Sequence, residues 1–336
     1  MKLSRLGEFG LIEKIRRRTP AGRGVRIGIG DDAASVENRS GSSLITADLL
    51  IEGSHFDLRW TSLRDLGHKA LAVNLSDIAA MGGIPDYVIL SLGIPAHFDS
   101  KDIDAFYRGF EELAAEYSVA LVGGDTNAAE KLIISVCVIG HASAKPVERR
   151  GAKAGDDIYV TGTLGDSALG LKLLRRVRRN STRKGQQAIT LLARHHRPTP
   201  RLAAGAFLAK KKLATAMIDV SDGLLQDLGH ICRASAIGAM IQTEWLPLSP
   251  VYRAFVGKER SHYALSGGED YELLFCARRQ NRARIEKLSL RAQVAITRIG
   301  ACVPADRGIV VVDSSGKAVP MRTEGHDHFK KTRLSV

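Results

Sequence analysis

Cysteine is scarce in this 336-residue chain, and its four thiols stand apart. Cys137, Cys232, Cys276 and Cys302 form no CxxC and no paired spacing. They read as buried thiols in a reducing compartment, not as a disulfide framework. No hydrophobic stretch approaches the length of a membrane span. The first residues, Met1-Lys2-Leu3-Ser4-Arg5-Leu6-Gly7-Glu8, lack the apolar run of a signal peptide. The expectation is a cytoplasmic protein with no membrane partner. Two common phosphate-binding signatures are missing as well. There is no G-x-x-x-x-G-K-[ST] and no HRD with DFG, which excludes P-loop and protein-kinase architectures.

Acidic residues are also missing from one long segment. Between Asp166 and Asp219 there is none. Lys172, Arg175, Arg176, Arg178, Arg179, Arg183, Lys184, Arg194, Arg197, Arg201 and Lys210 to Lys212 lie inside it, and these 13 cations equal the whole net charge of +13. A basic character spread over the chain would point to nucleic acid. A local block reads instead as a solvated helix face and loop. Phe207 is its only aromatic ring apart from histidines between Lys172 and Lys212, so base stacking is poorly served. Nucleic acid is therefore not the expected partner.

What is present is an ordinary globular composition, with 44% hydrophobic and 25% charged residues. The length suits two domains and a core that needs no disulfide staples. Val25 to Gly30 alternates like a strand that ends in a loop. Helical spacing of apolar residues predicts helices over 66–81 and 102–117, and short strands are expected at 120–122 and 132–139. A cluster of Pro, charge and Gly from Lys145 to Asp157 marks the expected boundary between domains 1–145 and 146–336. The second half alternates again: strands at 158–161, 217–220 and 271–276, helices at 166–177, 224–236 and 281–288, and a hairpin near 309–316. The class is α/β or α+β.

The informative feature is where the carboxylates fall. Asp31 and Asp32 follow a strand, Asp48 lies in Ile45-Thr46-Ala47-Asp48-Leu49, and Asp125 follows Gly123-Gly124. Asp219 and Asp222 flank Val220-Ser221, and Glu269 and Asp270 follow Gly267-Gly268. A carboxylate among apolar neighbours is costly unless a cation balances it. Magnesium prefers hard oxygen ligands and bridges carboxylates to phosphates, which suits phosphoryl transfer, a chemistry of positioning and charge neutralisation. Any one of these aspartates has a plain alternative as a turn or helix cap, and Asp222 before Gly223 could be an N-cap. Asp77 is harder to read that way. It sits mid-helix, where aspartate is poor, with Asn74 three residues before it on the same face. Gly28-x-Gly30-x-x-Ala33 matches the dinucleotide fingerprint in form. Asp31 and Asp32 inside it would repel a bare pyrophosphate, so it reads better as a metal–phosphate loop. His55 has no second His or Cys at zinc-ligand spacing, and the pair His195-His196 has no assigned role.

Taken together, the motifs resemble one family. Gly7-Glu8-Phe9-x-Leu11-Ile12, Gly28-Ile29-Gly30-Asp31-Asp32-Ala33-Ala34 and the stretch Lys69 to Gly82 are similar to those of the thiamine-monophosphate kinases. So are Gly123-Gly124-Asp125-Thr126, Ile218 to Leu224 and Leu265 to Leu273. The resemblance runs in order from Gly7 to about Phe329. It implies a two-domain fold like aminoimidazole ribonucleotide synthetase, whose N-terminal mixed sheet pairs across a homodimer, with ATP near that interface. It implies direct in-line transfer from ATP to thiamine monophosphate with several Mg2+ ions. By matching position, Asp32, Asp48, Asp77, Asp125, Asp219 and Asp222 resemble the magnesium ligands. Thr46 matches a hydroxyl ligand and Ala47 a site where only the main-chain carbonyl would reach a metal. Gly124, Asp125, Arg150 and Ser221 match ATP contacts, with Tyr107 a further one. His55 and Glu269 match acceptor contacts. His326 stands where a bulky aromatic is common and is expected to flank the acceptor ring. Relatives in the wider group fit less well. Selenophosphate synthesis would need a reactive thiol near the N-terminus, and no cysteine precedes Cys137. A hydrogenase-maturation relative would end in a cysteine tail, whereas this chain ends Thr332-Arg333-Leu334-Ser335-Val336.

Overall fold

The computed structural model describes residues 25–27, 31–32, 34–38, 41–174, 183–256, 261–291 and 294–320. The expected site residue His326, the motif glycines 28 and 30, and the arginines at 175–179 lie outside the described residues. Two six-stranded sheets organise the described chain. The first contains β1 (Val25–Ile27), β2 (Ala34–Asn38), β3 (Gly41–Ile51), β4 (Ile84–Ile94), β5 (Ala120–Ala128) and β6 (Ile133–Ala142) in the order β1-β2-β3-β6-β4-β5. All its neighbours are antiparallel except β4 with β5. The second contains β7 (Asp157–Thr161), β8 (Ala214–Asp219), β9 (Gly238–Gln242), β10 (Leu273–Ala277), β11 (Ile296–Val303) and β12 (Ile309–Val312) in the order β12-β9-β11-β7-β10-β8. Only β12 runs parallel to its neighbour there. The expected hairpin is thus a tight turn after β12, closed by a single bridge from Val312 to Ala318.

Helix α1 (Leu63–Ala80) begins at an N-cap, Ser62, whose hydroxyl accepts from the Asp65 N–H. Such a cap satisfies one of the first turn's unpaired donors. Helix α2 (Ser100–Glu116) begins with a reciprocal capping box between Asp99 and Asp102. The two helices cross at very short range. A Cβ on Gly109 would lie 1.8 Å from the carbonyl oxygen of Arg64, so only glycine allows that approach. Both helices cover the inner face of the first sheet, where Leu44, Leu50, Val88, Leu90 and Val136 are buried.

The opposite face of that sheet is bare. Leu49, Tyr87 and Val122 are 50%, 51% and 57% exposed, and every residue of the edge strand β5 is exposed. Alternation along β3 explains the split, since successive side chains point to opposite faces. Thr46 is buried, while Ala47 and Leu49 face outward.

Helices α3 (Asp166–Leu174), α4 (Arg183–His196), α5 (Leu202–Lys210) and α6 (Leu224–Ser235) belong to the second half, with the shorter α7 (Pro250–Phe255), α8 (His262–Ser266) and α9 (Arg282–Arg291). The first core cluster crosses between the halves. It joins Leu71, Ile78 and Ala79 of α1 to Leu202 and Leu208 of α5 and to Met217 and Phe275 of the second sheet. α1 is therefore packed between the two sheets, and its C-terminal turn faces both.

The basic block is a correction to the sequence reading. It is not simply a solvated face. Leu191 of α4 and Leu202, Ala204 and Leu208 of α5 are core residues. Arg201 binds Glu272 with both arms of its guanidinium, at 2.7 and 2.5 Å, and Arg194 lies 3.3 Å from the same carboxylate. Glu272 is 1% exposed, and Thr161 donates to it as well, at 2.7 Å. The acids that answer this block come from other parts of the chain.

Candidate active site

The Asp77 end of α1 is where the carboxylates gather. Asp77 accepts from the Thr46 hydroxyl of β3 at 2.6 Å. Its chain neighbour Ser76 donates to Asp219, at the end of β8, at 2.6 Å. Two consecutive residues on one helix thus hold one sheet each. Asp32, Asp77 and Asp219 bring oxygens within 4.8 Å of one another, a spacing that a metal ion can span.

The electrostatics of the cluster follow from burial and like charge. Burial pushes the Asp77 carboxyl well above its ordinary range, and Asp48, Asp219 and Asp32 add repulsion. Asp219 is raised to about 8 by burial and by Asp32, against a lowering by the Ser76 hydroxyl. Burial raises Asp48 to about 6. Asp31 rises to about 7 through burial and the adjacent Asp32. Among the described residues the cation paired with the cluster is Arg149, whose guanidinium lies 2.5 Å from Asp32 Oδ1 and 3.8 Å from Asp31. One guanidinium does not balance five carboxylates, and Asp32 Oδ2 is buried with no hydrogen-bond partner among the described residues. The donor set is all oxygen and hard, which fits magnesium and not a soft metal.

Asp48, Asp77, Asp219 and Asp222 line a cavity of about 980 Å3. His55, Phe56, Trp60, His195 and Glu269 also line it. His55 Nδ1 accepts from the Ile51 N–H at 3.0 Å, so in the neutral ring the proton sits on Nε2. Asp222 is not the N-cap of α6. That position is Gly223, with φ of 123°. The buried Asp227 takes the N–H groups of Asp222 and Gly223 at 3.2 and 3.0 Å, which shapes the turn that presents Ser221 and Asp222 to the cavity.

Other expected site residues are placed elsewhere in the single chain. Asp48 pairs with Val136, Val136 with Leu90, and Leu90 with Gly124. Asp125 is thus about 14 Å across the sheet from the Asp48 position, three strand spacings away. Its carboxylate takes the Thr126 N–H and the Asn127 amide. Tyr107 packs its ring edge-on to Phe106 in the first core. Arg150 points to solvent, 74% exposed, and meets Glu148 at 3.2 Å. Its neighbour Arg149 is the one that turns inward. Arg149, Lys69 and His195 are site-facing residues that the sequence reading did not assign. Only the Lys69 to Gly82 motif and the Arg149-Arg150 doublet carried any signal for them.

Known proteins share both halves of this fold. Residues 30–142 match the AIR synthase related protein N-terminal domain, and 153–313 match its C-terminal domain. The thiamine-monophosphate kinase of Bacillus subtilis (strain 168) is 36% identical over 328 residues, covering 97% of this chain and all of that protein. That of Escherichia coli (strain K12) is 39% identical over 327 residues, covering 96% and 98%. Among solved structures, "AaThiL complexed with AMPPCP and TMP" superposes with a TM-score of 0.84 at 36% identity, over 98% of this chain and 99% of that one. Thiamine-monophosphate kinase from Stenotrophomonas maltophilia K279a gives 0.76 at 39%, over 93% and 98%. Escherichia coli HypE, a hydrogenase maturation protein, shares the fold at 19% identity, with a TM-score of 0.70 over 95% and 98%. With both of its domains matched and relatives of this identity aligned over nearly their full length, the chain belongs to the thiamine-monophosphate kinase family.

Proposed function

We propose that this protein transfers the γ-phosphoryl group of ATP directly to the phosphate of thiamine monophosphate, giving thiamine diphosphate and ADP. The observation that carries the reading is the convergence of Asp32, Asp77 and Asp219, from three separate parts of the chain, beside a cavity of about 980 Å3 that Asp77 and Asp219 line. An acceptor phosphate oxygen forms the new bond to Pγ as the bond from Pγ to the bridging oxygen of ADP breaks. Such a reaction needs alignment and neutralised charge more than a covalent nucleophile.

Asp32, Asp48, Asp77, Asp219 and Asp222, with the Thr46 hydroxyl and the Ala47 carbonyl, are the groups that would hold Mg2+. Bound there, Mg2+ supplies charge neutralisation for the polyphosphate and the transferring group. The protein's own residues set the frame. The Thr46 and Ser76 hydroxyls fix the Asp77 and Asp219 carboxylates, and the Asp227 carboxylate fixes the turn that carries Ser221. Arg149, which pairs with Asp32, would meet phosphate at the carboxylate end more readily than the exposed Arg150. His55 and Glu269, which line the same cavity, would contact the acceptor.

Gly124, Asp125 and Tyr107 would serve the nucleotide only if a second copy of the chain approached. Asp125 lies on the bare face and edge of the first sheet, beside exposed Leu121 and Val122. A homodimer that covers this face answers both the exposed apolar surface and the distance of Asp125 from the carboxylate cluster. Sedimentation at micromolar concentration should give twice the chain mass; a clean monomer that still turns over would remove the dimer from the reading.

The deciding assay supplies ATP, Mg2+ and thiamine monophosphate and follows thiamine diphosphate and ADP. Equimolar formation of both is expected. ADP release that is indifferent to the acceptor, with no diphosphate formed, would overturn the assignment.

A further inference from the structure

Three residues from distant parts of the chain meet beside the cavity: Glu269 and His195 line it, and the buried Lys69 lies against Glu269. Glu269 lies in the loop before β10 with its backbone in the left-handed region, at φ of 65°. A residue other than glycine stays there only when its surroundings hold it. Here its N–H donates to the Ser221 carbonyl at 2.7 Å, which ties the loop to the turn between Asp219 and Asp222. The side chain is held as firmly. Lys69 Nζ lies 2.7 Å from Oε1, and His195 Nδ1 lies 3.0 Å from Oε2.

Both partners are themselves fixed. Lys69 is 2% exposed, two turns before Asp77 on α1. An ammonium at that depth is tolerable only beside a carboxylate. His195 closes α4, and its Nδ1 is also 3.0 Å from Ser167 Oγ on α3. An ionised carboxylate only accepts, so Nδ1 carries the proton that faces Glu269. Arg194, the residue before it, reaches Glu272 and helps to anchor the end of the helix. Burial pushes the Glu269 carboxyl up, but Lys69 and His195 outweigh it and hold the group well below the usual carboxylate range.

A carboxylate oxygen can accept two hydrogen bonds. Lys69 and His195 take one on each oxygen, and 29% of the side chain remains open to the cavity. We propose that Lys69 and His195 are positioning residues for acceptor binding, which hold the Glu269 carboxylate in the one orientation that receives a donor group of the acceptor. Thiamine offers such a donor in the amino group of its pyrimidine ring. The inference rests on the proposed kinase reading. It gives α1 two tasks: its Asp77 end serves the phosphates, and Lys69 serves the other end of the acceptor.

The plain alternative is a buried ion pair that only stabilises the fold. The two differ in what Lys69→Met does when Glu269 has already been disabled. Steady-state kinetics with ATP and thiamine monophosphate each varied should be run on wild type, Lys69→Met, Lys69→Arg, His195→Gln, Glu269→Gln and the double variants with Glu269→Gln. Lys69→Met and His195→Gln should each raise the acceptor KM about tenfold or more, as the loss of a charged hydrogen bond does, with the ATP KM within about twofold of wild type. Lys69→Arg should recover most of the loss. In the Glu269→Gln background, either substitution should add less than about twofold. Calorimetric binding of thiamine monophosphate without nucleotide should rank the variants in the same order. An unchanged acceptor KM with a lower kcat, or a full further tenfold loss in the Glu269→Gln background, would overturn the proposal. If Lys69→Met does not fold, His195→Gln carries the same cycle. Wild type separates the two levels: no thiamine diphosphate at all sinks the kinase reading itself, whereas normal turnover with additive variants sinks only this inference.

Discussion

Asp77→Asn is the substitution with opposite consequences for stability and for turnover. Asparagine keeps the shape and can still accept from the Thr46 hydroxyl, so packing at the end of α1 is preserved. What it removes is one negative charge within 4.8 Å of the Asp32 and Asp219 carboxylates. At that separation a like-charge pair costs about 1 kcal/mol at the dielectric of water and about 3.5 kcal/mol at an effective dielectric of 20. Arg149 already offsets part of this, and the raised Asp77 and Asp219 carboxyls keep part of the charge protonated. A net relief of about 1–3 kcal/mol is expected in the absence of metal. For a chain of 336 residues the entropy of unfolding near Tm is about 0.7 kcal/mol per degree, so Tm should rise by about 1–4 °C. Turnover should move the other way, falling by about a hundredfold to a thousandfold, as happens when a charge-stabilising group is removed from an active site. Thermal melts with and without Mg2+, run beside the kinase assay, read both. Wild type should be stabilised by Mg2+ and the variant much less. A variant that melts lower without metal, keeps the Mg2+ shift and retains near-native turnover would make Asp77 a structural residue and refute the reasoning.

Two further outcomes follow from the buried charges of the second half. Arg201→Met should destabilise the protein by about 3 kcal/mol or more, because it strands the buried Glu272, with only the longer Arg194 contact as a cation and the neutral Thr161 hydroxyl left to compensate; a denaturant midpoint within error of wild type would contradict this. Acid should destabilise the protein through His196, whose imidazole is held down to about 4 by burial, by His195 and by Lys69. The unfolded chain binds this proton from about pH 6.5 and the folded one only near 4, so stability falls as pH drops through that window, by about 2 kcal/mol at pH 5 from this group alone. His196→Leu should flatten the fall in Tm between pH 7 and 5, and parallel curves for the two proteins would show that other groups govern it.

The parts of the site that could be read from the sequence are those whose partners lie nearby or whose placement is locally costly. Asp77 was legible because an aspartate read as mid-helix among apolar residues needs a reason; the structure places it in the last turn of α1, beside the Asp32 and Asp219 carboxylates. Asp219 and Asp222 were legible as strand-end acids beside Gly223. Direction within a doublet was not. Arg149 and Arg150 are chemically identical neighbours, and only the packing of the segment decides which guanidinium meets Asp32 and which meets solvent. Long-range pairing was equally hidden. The acid-free stretch from 167 to 218 reads as solvated because its counter-ions are invisible in a local window. They are Asp65, Glu112, Glu269 and Glu272, contributed by elements that the fold brings against α4 and α5. The same cause hid two helices and several strands. Basic residues crowd the sequence of α4 and obscure its apolar spacing, and in β11 a Thr-Arg pair and Gly300 interrupt the pattern of a strand that is central to its sheet. The basic block was therefore misread for want of tertiary partners, and the site residue it conceals, His195, becomes visible only once Glu269 is placed beside it.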